Sequence, residues 1–237
     1  PKSARIDAAR SGQFKLEKLA RAGLGQIPGL DFVGQKHKLK VPINGYYWFM
    51  IMERDRLSVL LRSENTVFTF KELSLIWKET DARLVKKYAY RYVKAGKLYP
   101  IRKGIYAKDK GYDRLELAVK IYTPSYVSLE TILAREGVVF QHYDQIFVVS
   151  YLSRELSCDG QTYVFRRIKE PILTNSLGLE TKDNYYFASK ERAFLDTIYL
   201  NKNYHFDNLS SINWDKCFEI IPIYGNPAME KRLNSYY

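Results

Sequence analysis

Seven side chains in this sequence have types and spacing that suit one chemistry. Arg83, Lys86, Lys87, Tyr90 and Lys94 stand at i, i+3, i+4, i+7 and i+11, so at 100° per residue they share one side of a helix. Leu84, Val85, Tyr88 and Tyr92 fall on the opposite side, with Ala89 at its edge. Arg102 and Lys103 follow in a turn that ends at Gly104. The basic face has no acidic residue beyond its first turn, so pairing between successive helix turns does not account for it. A row of cations with one tyrosine suits a phosphate backbone and the base edges beside it.

Other residues invite a catalytic reading and support it less. Glu180-Thr181-Lys182, with Asp183 beside it, has the acid-x-Lys form of a Mg-dependent nuclease, but it stands next to Gly178 in an expected turn rather than a strand. A nucleotidyltransferase would need Gly-Ser followed by Asp-x-Asp, and the chain has neither. Glu191, Arg192 and Asp196 could be catalytic. Their spacing also lets Arg192 pair with Asp196 on one helix turn, or lets the set fix a helix against a sheet. Ser125 and Ser128 have no His or Asp close in sequence, and neither Cys158 nor Cys217 has an evident activating cation. His37, His142 and His205 are scattered singly. The expectation is a protein that is not an enzyme, with no metal site and no cofactor.

The charge distribution agrees with the basic face. The chain has 237 residues, 46% of them apolar and 27% charged, with 20 tyrosines and a net charge of +12. That is the balance of a folded protein of one or two domains. Residues 1–51 carry +6, residues 52–110 carry +8 and residues 111–237 carry −2. The first two segments should meet an acidic partner, nucleic acid before anionic membrane. The longest apolar run, Tyr46 to Met52, is far too short to span a bilayer. Two distant cysteines exclude a disulfide scaffold and a zinc ribbon, and fit the cytoplasm.

The elements that would position these residues can be read along the chain. Residues 1–51 form a basic extension, either an arm or an artefact upstream of a natural start at Met52. Residues 53–63 read as a helix with Leu57, Leu60 and Leu61 on one side. Residues 65–68 are a turn and a short extended piece. Thr69 caps a second helix, with Glu72 completing a capping box and Leu73, Ile76 and Trp77 buried. Thr80 or Asp81 caps the third helix, which stops at Gly96. Residues 97–106 read as a hairpin turning at Arg102-Lys103-Gly104. Three helices and a basic-tipped hairpin make a winged helix-turn-helix over 52–110.

Residues 109–113 read as a linker. A compact α+β domain follows over 111–237, with a helix from Arg114 to Ile121 broken at Pro124-Ser125-Tyr126. A helix begins in Val127–Leu133 and ends before Gly137. Strand-like runs follow at Val138 to Phe140, Gln145 to Ser150 and Thr162 to Ile168, with a hairpin signal at Cys158-Asp159-Gly160. Ser189 caps a helix over 189–200, Trp214 to Ile221 is a last apolar helix or strand, and Pro227 to Leu233 a terminal helix.

Three strings, in order, resemble the AbiEi family, the antitoxins of AbiE abortive-infection (type IV toxin–antitoxin) systems. They are Leu98-x-x-Ile101-x-Lys103-Gly104-Ile105-Tyr106, Pro124-Ser125-Tyr126-Val127-Ser128-Leu129-Glu130, and Ala188-Ser189-x-Glu191-Arg192-Ala193-x-x-Asp196. The resemblance covers about residues 52–235, and residues 1–51 have no counterpart in it. It implies a transcriptional autorepressor whose winged helix binds double-stranded DNA at inverted repeats upstream of its own operon. It also implies a C-terminal domain that neutralises a co-encoded nucleotidyltransferase-like toxin in phage defence, without a stable complex being assumed.

On this reading Arg83, Lys86 and Lys87 contact the major groove, Tyr90 and Lys94 approach phosphate, and Arg102 and Lys103 form the wing tip. A Mg-dependent nuclease with a winged-helix DNA-binding domain, or a winged-helix RNA-binding protein with Tyr90 stacked on a base, are the alternatives. A membrane partner is not expected, because the third helix needs its apolar face for the three-helix core.

Overall fold

Capping residues and short apolar runs punctuate the first half of the chain into small, closely packed elements. The computed structural model describes residues 56–182 and 184–237, all within one compact unit, Gly45–Tyr237. The readings of residues 1–51, the start of the first helix and Asp183 lie outside the described residues.

Helix α1 occupies 56–62. Leu60 is fully buried and Leu57 packs beside it, but Leu61 is 58% exposed. Leu61 lies 100° round the helix from Leu60, and only the Leu60 side meets the core. Strand β1 (Val67–Thr69) leads into α2 (Phe70–Ile76) through the expected capping box. The Glu72 N–H donates to Thr69 Oγ1 at 3.2 Å, and the Thr69 N–H donates to Glu72 Oε2 at 2.7 Å.

Asp81 caps α3 (Ala82–Lys94) by accepting from the Arg83 N–H at 2.8 Å. Gly96 ends the helix with φ +67°, which lets the Lys97 N–H reach the Tyr92 carbonyl at 2.8 Å and the Gly96 N–H reach that of Val93 at 3.0 Å. Trp77 packs against Tyr88 and Tyr92, fastening α2 to α3. Strands β2 (Tyr99–Arg102) and β3 (Ile105–Ala107) form the expected hairpin, and β1 joins it in a three-stranded sheet ordered β1-β3-β2.

After α4 (Arg114–Ile121) the chain builds a six-stranded mixed sheet. Its strands are β4 (Ser125–Val127), β5 (Ile146–Ser150), β6 (Arg154–Cys158), β7 (Gln161–Arg167), β8 (Leu179–Lys182) and β9 (Tyr185–Ala188), in the order β6-β7-β5-β4-β9-β8. The pairs β5–β7 and β4–β9 are parallel and the other pairs antiparallel. Helices α5 (Glu130–Arg135), α6 (Glu170–Leu173), α7 (Lys190–Leu200), α8 (Trp214–Ile220) and α9 (Pro227–Asn234) complete it, with a 3-10 turn at Ile221–Tyr224. Along α7 every residue from Glu191 to Ile198 is buried, so this helix is the axis of the core.

Several sequence expectations are corrected here. Val127 belongs to β4, and the helix starts only at Glu130, because Ser125–Val127 is held between β5 and β9. Val138 to Phe140 is not a strand: the Val138 and Val139 N–H groups fold back onto the Leu133 carbonyl at the end of α5. Strand β6 escaped the sequence reading although its turn was recognised. Asp159 and Gly160, both at positive φ, join it to β7.

The linker reading of 109–113 also fails. Tyr112 is buried, and its hydroxyl donates to Asp159 Oδ2 at 2.9 Å. The Asp113 N–H donates to Thr66 Oγ1 at 2.9 Å, while the Asp113 carboxylate caps α4. Buried Glu116 accepts from the Thr66 N–H at 2.9 Å and the Val67 N–H at 3.3 Å. Lys120 Nζ lies 2.9 Å from both Glu72 and Glu116 and donates to the Val67 carbonyl at 2.6 Å. Val67, Ile105 and Ala107 of the small sheet share one core with Leu117, Ala118, Val148, Tyr163 and Phe165. Residues 56–110 are thus packed against the larger sheet rather than tethered to it.

Candidate nucleic-acid interface

The packing of α3 decides which of its side chains are free. Val85, Tyr88, Ala89 and Tyr92 are buried against α1 and α2, and Leu84 packs at their edge. That fixes the rotation of the helix, so Arg83, Lys86, Lys87, Tyr90 and Lys94 are all exposed, as the 100° spacing requires. At about 1.5 Å per residue, Arg83 to Lys94 spans roughly 16 Å of helix. Lys86, Lys87 and Lys94 form no ion pair among the described residues. Tyr90 is 65% exposed, a large ring in water between cations.

The acids of the α2–α3 region are mostly occupied elsewhere. Glu72 serves the capping box and Lys120, and Glu79 pairs with Arg56 at 3.9 Å. Asp81 is the exception: besides capping α3 it lies 3.5 Å from Arg83 Nε. The Arg83 side chain is 92% exposed there, so this contact contributes little and gives way readily to an anion.

Arg102 and Lys103 are exposed at the hairpin turn. The Gly104 carbonyl, at φ +80°, accepts from the Phe70 N–H at 2.7 Å, which fastens the hairpin tip beside the start of α2. A second clamp holds the other end of β2: the Tyr99 hydroxyl donates to Asp159 Oδ1 at 2.9 Å, and Tyr99 stacks on Tyr112. Arg102 lies near Cys158, where its charge partly counters the upward push that burial gives that thiol. The structure thus gathers five expected residues on one helix face and two on a braced hairpin. It adds exposed Lys97, just past the end of α3, which the sequence reading passed over because it falls outside the helix period.

The residues weighed for catalysis resolve differently. Arg192 and Asp196 are fully buried, with Nε 3.3 Å from Oδ1. Arg192 Nη1 donates to the Leu177 carbonyl at 2.7 Å, and Nη2 to the Ile172 carbonyl at 2.8 Å and the Tyr126 hydroxyl at 3.1 Å. Asp196 accepts from Tyr126 at 3.0 Å, Ser128 at 2.9 Å and Tyr224 at 2.7 Å.

Burial alone draws the guanidinium pKa down, but Asp196 and the neighbouring tyrosines more than reverse this, so Arg192 stays charged. Burial pushes the Asp196 carboxyl up, and Arg192 with the three hydroxyls pulls it part of the way back. Ser128, which has no Asp partner close in sequence, therefore has one in space, but a fully buried serine without a histidine base is no exposed nucleophile. The strings around Tyr126 and Arg192 meet in this one cluster.

Glu180 and Lys182 lie on the edge strand β8, not in a turn, because β9 pairs with them through Phe187 and Tyr185. Both are exposed, and among the described residues no three His, Cys, Asp or Glu side chains gather as a metal site would. Cys158 and Cys217 are free, and burial raises both thiols, Cys217 to about 12. Among the described residues no helix is long and apolar enough to cross a membrane. No protein-family model matches the chain, and a search of curated proteins finds no match.

Proposed function

We propose that the chain is a DNA-binding transcriptional autorepressor of AbiEi type, and that residues 52–110 are its winged helix-turn-helix. The observation that carries this reading is the α3 face: four exposed cations and one exposed tyrosine, opposite a buried face that fixes their direction. In this proposal α3 enters the major groove. Arg83, Lys86 and Lys87 reach base edges, Tyr90 and Lys94 approach phosphate, and the hairpin carrying Arg102 and Lys103 follows the backbone. Each cation that neutralises a phosphate releases a counterion, so affinity falls steeply with salt.

The second role in the proposal is antitoxin: residues 111–237 neutralise a co-encoded nucleotidyltransferase-like toxin. The resemblance of the Tyr126 and Arg192 strings to AbiEi supports this part. Because the two segments share a core, their roles are best separated by surface variants of the whole chain rather than by truncation.

The deciding experiment is a gel-shift salt titration on DNA from just upstream of the gene, against scrambled DNA of equal length. Tighter binding to the upstream fragment with a steep salt slope is the expected result. Equal, weak binding to both would reduce α3 to a general polyanion surface and overturn the repressor reading. Growth rescue of toxin-expressing cells then tests the antitoxin role.

A further inference from the structure

A cleft of about 860 Å³ opens where β5 and β7 leave the larger sheet. These strands are parallel neighbours, with Ser150 opposite Arg167 at their last pairing. The Ile168 N–H donates to the Ser150 carbonyl at 3.0 Å and buried Ile168 closes the floor. Carboxyl ends of adjacent parallel strands are where mixed sheets commonly open ligand crevices, and this volume falls in the ordinary small-ligand range.

The lining has a distinct chemistry. Arg167 and Lys169 are exposed and form no ion pair among the described residues, although residues 111–237 are acidic as a whole. Two aromatic rings line the same space. Tyr151 is 47% exposed and steadied edge-on by Tyr122, and Tyr199 rests on Tyr224. Thr174 donates its hydroxyl proton to the Glu170 carbonyl, so within the cleft it can only accept. Glu170, the one carboxylate in the lining, also accepts.

We propose that this cleft binds a mononucleotide. Its phosphate is held by Arg167 and Lys169, its base lies against the exposed Tyr151 ring, and its sugar hydroxyls donate to Glu170 and Thr174. A bare phosphate would satisfy the cations and leave the rings and acceptors unused, and a nucleoside would do the reverse. The inference does not depend on the DNA-binding proposal, because it uses none of the α3 residues.

Isothermal titration of the full-length protein with AMP, ATP, adenosine and inorganic phosphate tests it. The expected result is saturable binding of AMP or ATP at one site per chain, with adenosine and phosphate each at least about tenfold weaker. Arg167→Ala with Lys169→Ala should weaken the nucleotide about tenfold or more at unchanged melting temperature, and Tyr151→Leu should weaken AMP while leaving phosphate unaffected. Lys86→Ala with Lys87→Ala should change nothing.

Three results of these nucleotide titrations would overturn the proposal: no saturable binding up to about 5 mM nucleotide, phosphate binding as tightly as AMP, or binding lost in the α3 variant but kept in the cleft variant. Operator DNA titrated against the cleft variant separates the two phosphate sources. Unchanged DNA affinity is expected, and a loss equal to the nucleotide's would assign the cations to the DNA backbone instead.

Discussion

Arg192 shows how much of a buried charge is set by residues far from it in sequence. Its i,i+4 pairing with Asp196 follows from helix spacing alone, and the structure contains it. The partners that make the pair tolerable do not follow from spacing. Tyr126, Ser128 and Tyr224 lie 70, 68 and 28 residues from Asp196, and the Leu177 and Ile172 carbonyls come from another loop and helix.

Removing one charge strands the other. Arg192→Met should cost about 3–5 kcal/mol in urea unfolding, and the double variant Arg192→Met/Asp196→Leu should recover part of the loss. A loss under about 1 kcal/mol for the single variant would mean that water reaches the cluster.

Cys217 gives a second test at this scale. Burial raises its thiol to about 12, with Glu191 adding to the effect, against about 8.5 for an ordinary thiol. Between those values the unfolded chain has released a proton that the folded chain keeps. The contribution of Cys217 to stability is therefore complete below pH ~8.5 and declines as pH rises toward 12. Alkylation at pH 8 should modify Cys217 only at the rate of unfolding, and rapid modification of the native protein would contradict its burial.

At the scale of elements, local signals were legible and edges were not. The caps at Thr69, Asp81 and Ser189, the stop at Gly96 and the Asp159-Gly160 turn all stand where the sequence places them, because each rests on bonds within a few residues. Strands β4, β6, β8 and interior β9 are not among the strand-like runs of the sequence. β4 is three residues long and held by neighbours on both sides, while β6 and β8 are sheet edges whose mostly exposed residues show no apolar run.

The basic face of α3 was legible for the same reason as the caps: helix period alone sorts its residues. Its role is tested by two substitutions of different kind. Arg83→Ala should weaken operator binding by about 1–3 kcal/mol and relax preference at one base position. Lys103→Ala should weaken all sequences about equally and lower the salt slope by about one. Both side chains are exposed, so the melting temperature should not move. If Arg83→Ala leaves operator affinity unchanged, α3 does not read the groove with this face.

For the whole molecule, charge arithmetic and packing divide the chain differently. The sign of the charge changes near residue 110, yet the core does not break there. Within the Arg114–Ile121 helix, nothing in the sequence sets Glu116 apart from an ordinary solvated acid. In the fold it accepts from the Thr66 and Val67 N–H groups, where the chain enters β1, and with Lys120 and Glu72 it forms an ionic bridge across the junction. No periodicity within α4 announces partners some 50 positions upstream.

Such a junction makes cooperative unfolding the expected behaviour, and two tryptophans report on its sides. Trp77 sits in the small core of α1, α2 and α3, and Trp214 packs on Phe194 in the larger one. The chain has a third tryptophan, Trp48, so it is replaced by Phe in both reporters. Urea transitions followed through Trp77 in a Trp48→Phe/Trp214→Phe background, and through Trp214 in a Trp48→Phe/Trp77→Phe background, should each be single steps and should differ in midpoint only by the stability cost of the substitutions. Glu116→Ala should shift both by the same free energy, about 3 kcal/mol, because it leaves the Thr66 and Val67 N–H groups without their acceptor and Lys120 short of one carboxylate. A Trp77 transition that moves while the Trp214 transition stays would show that the segments unfold independently, and that the shared core does not couple the basic half to the rest.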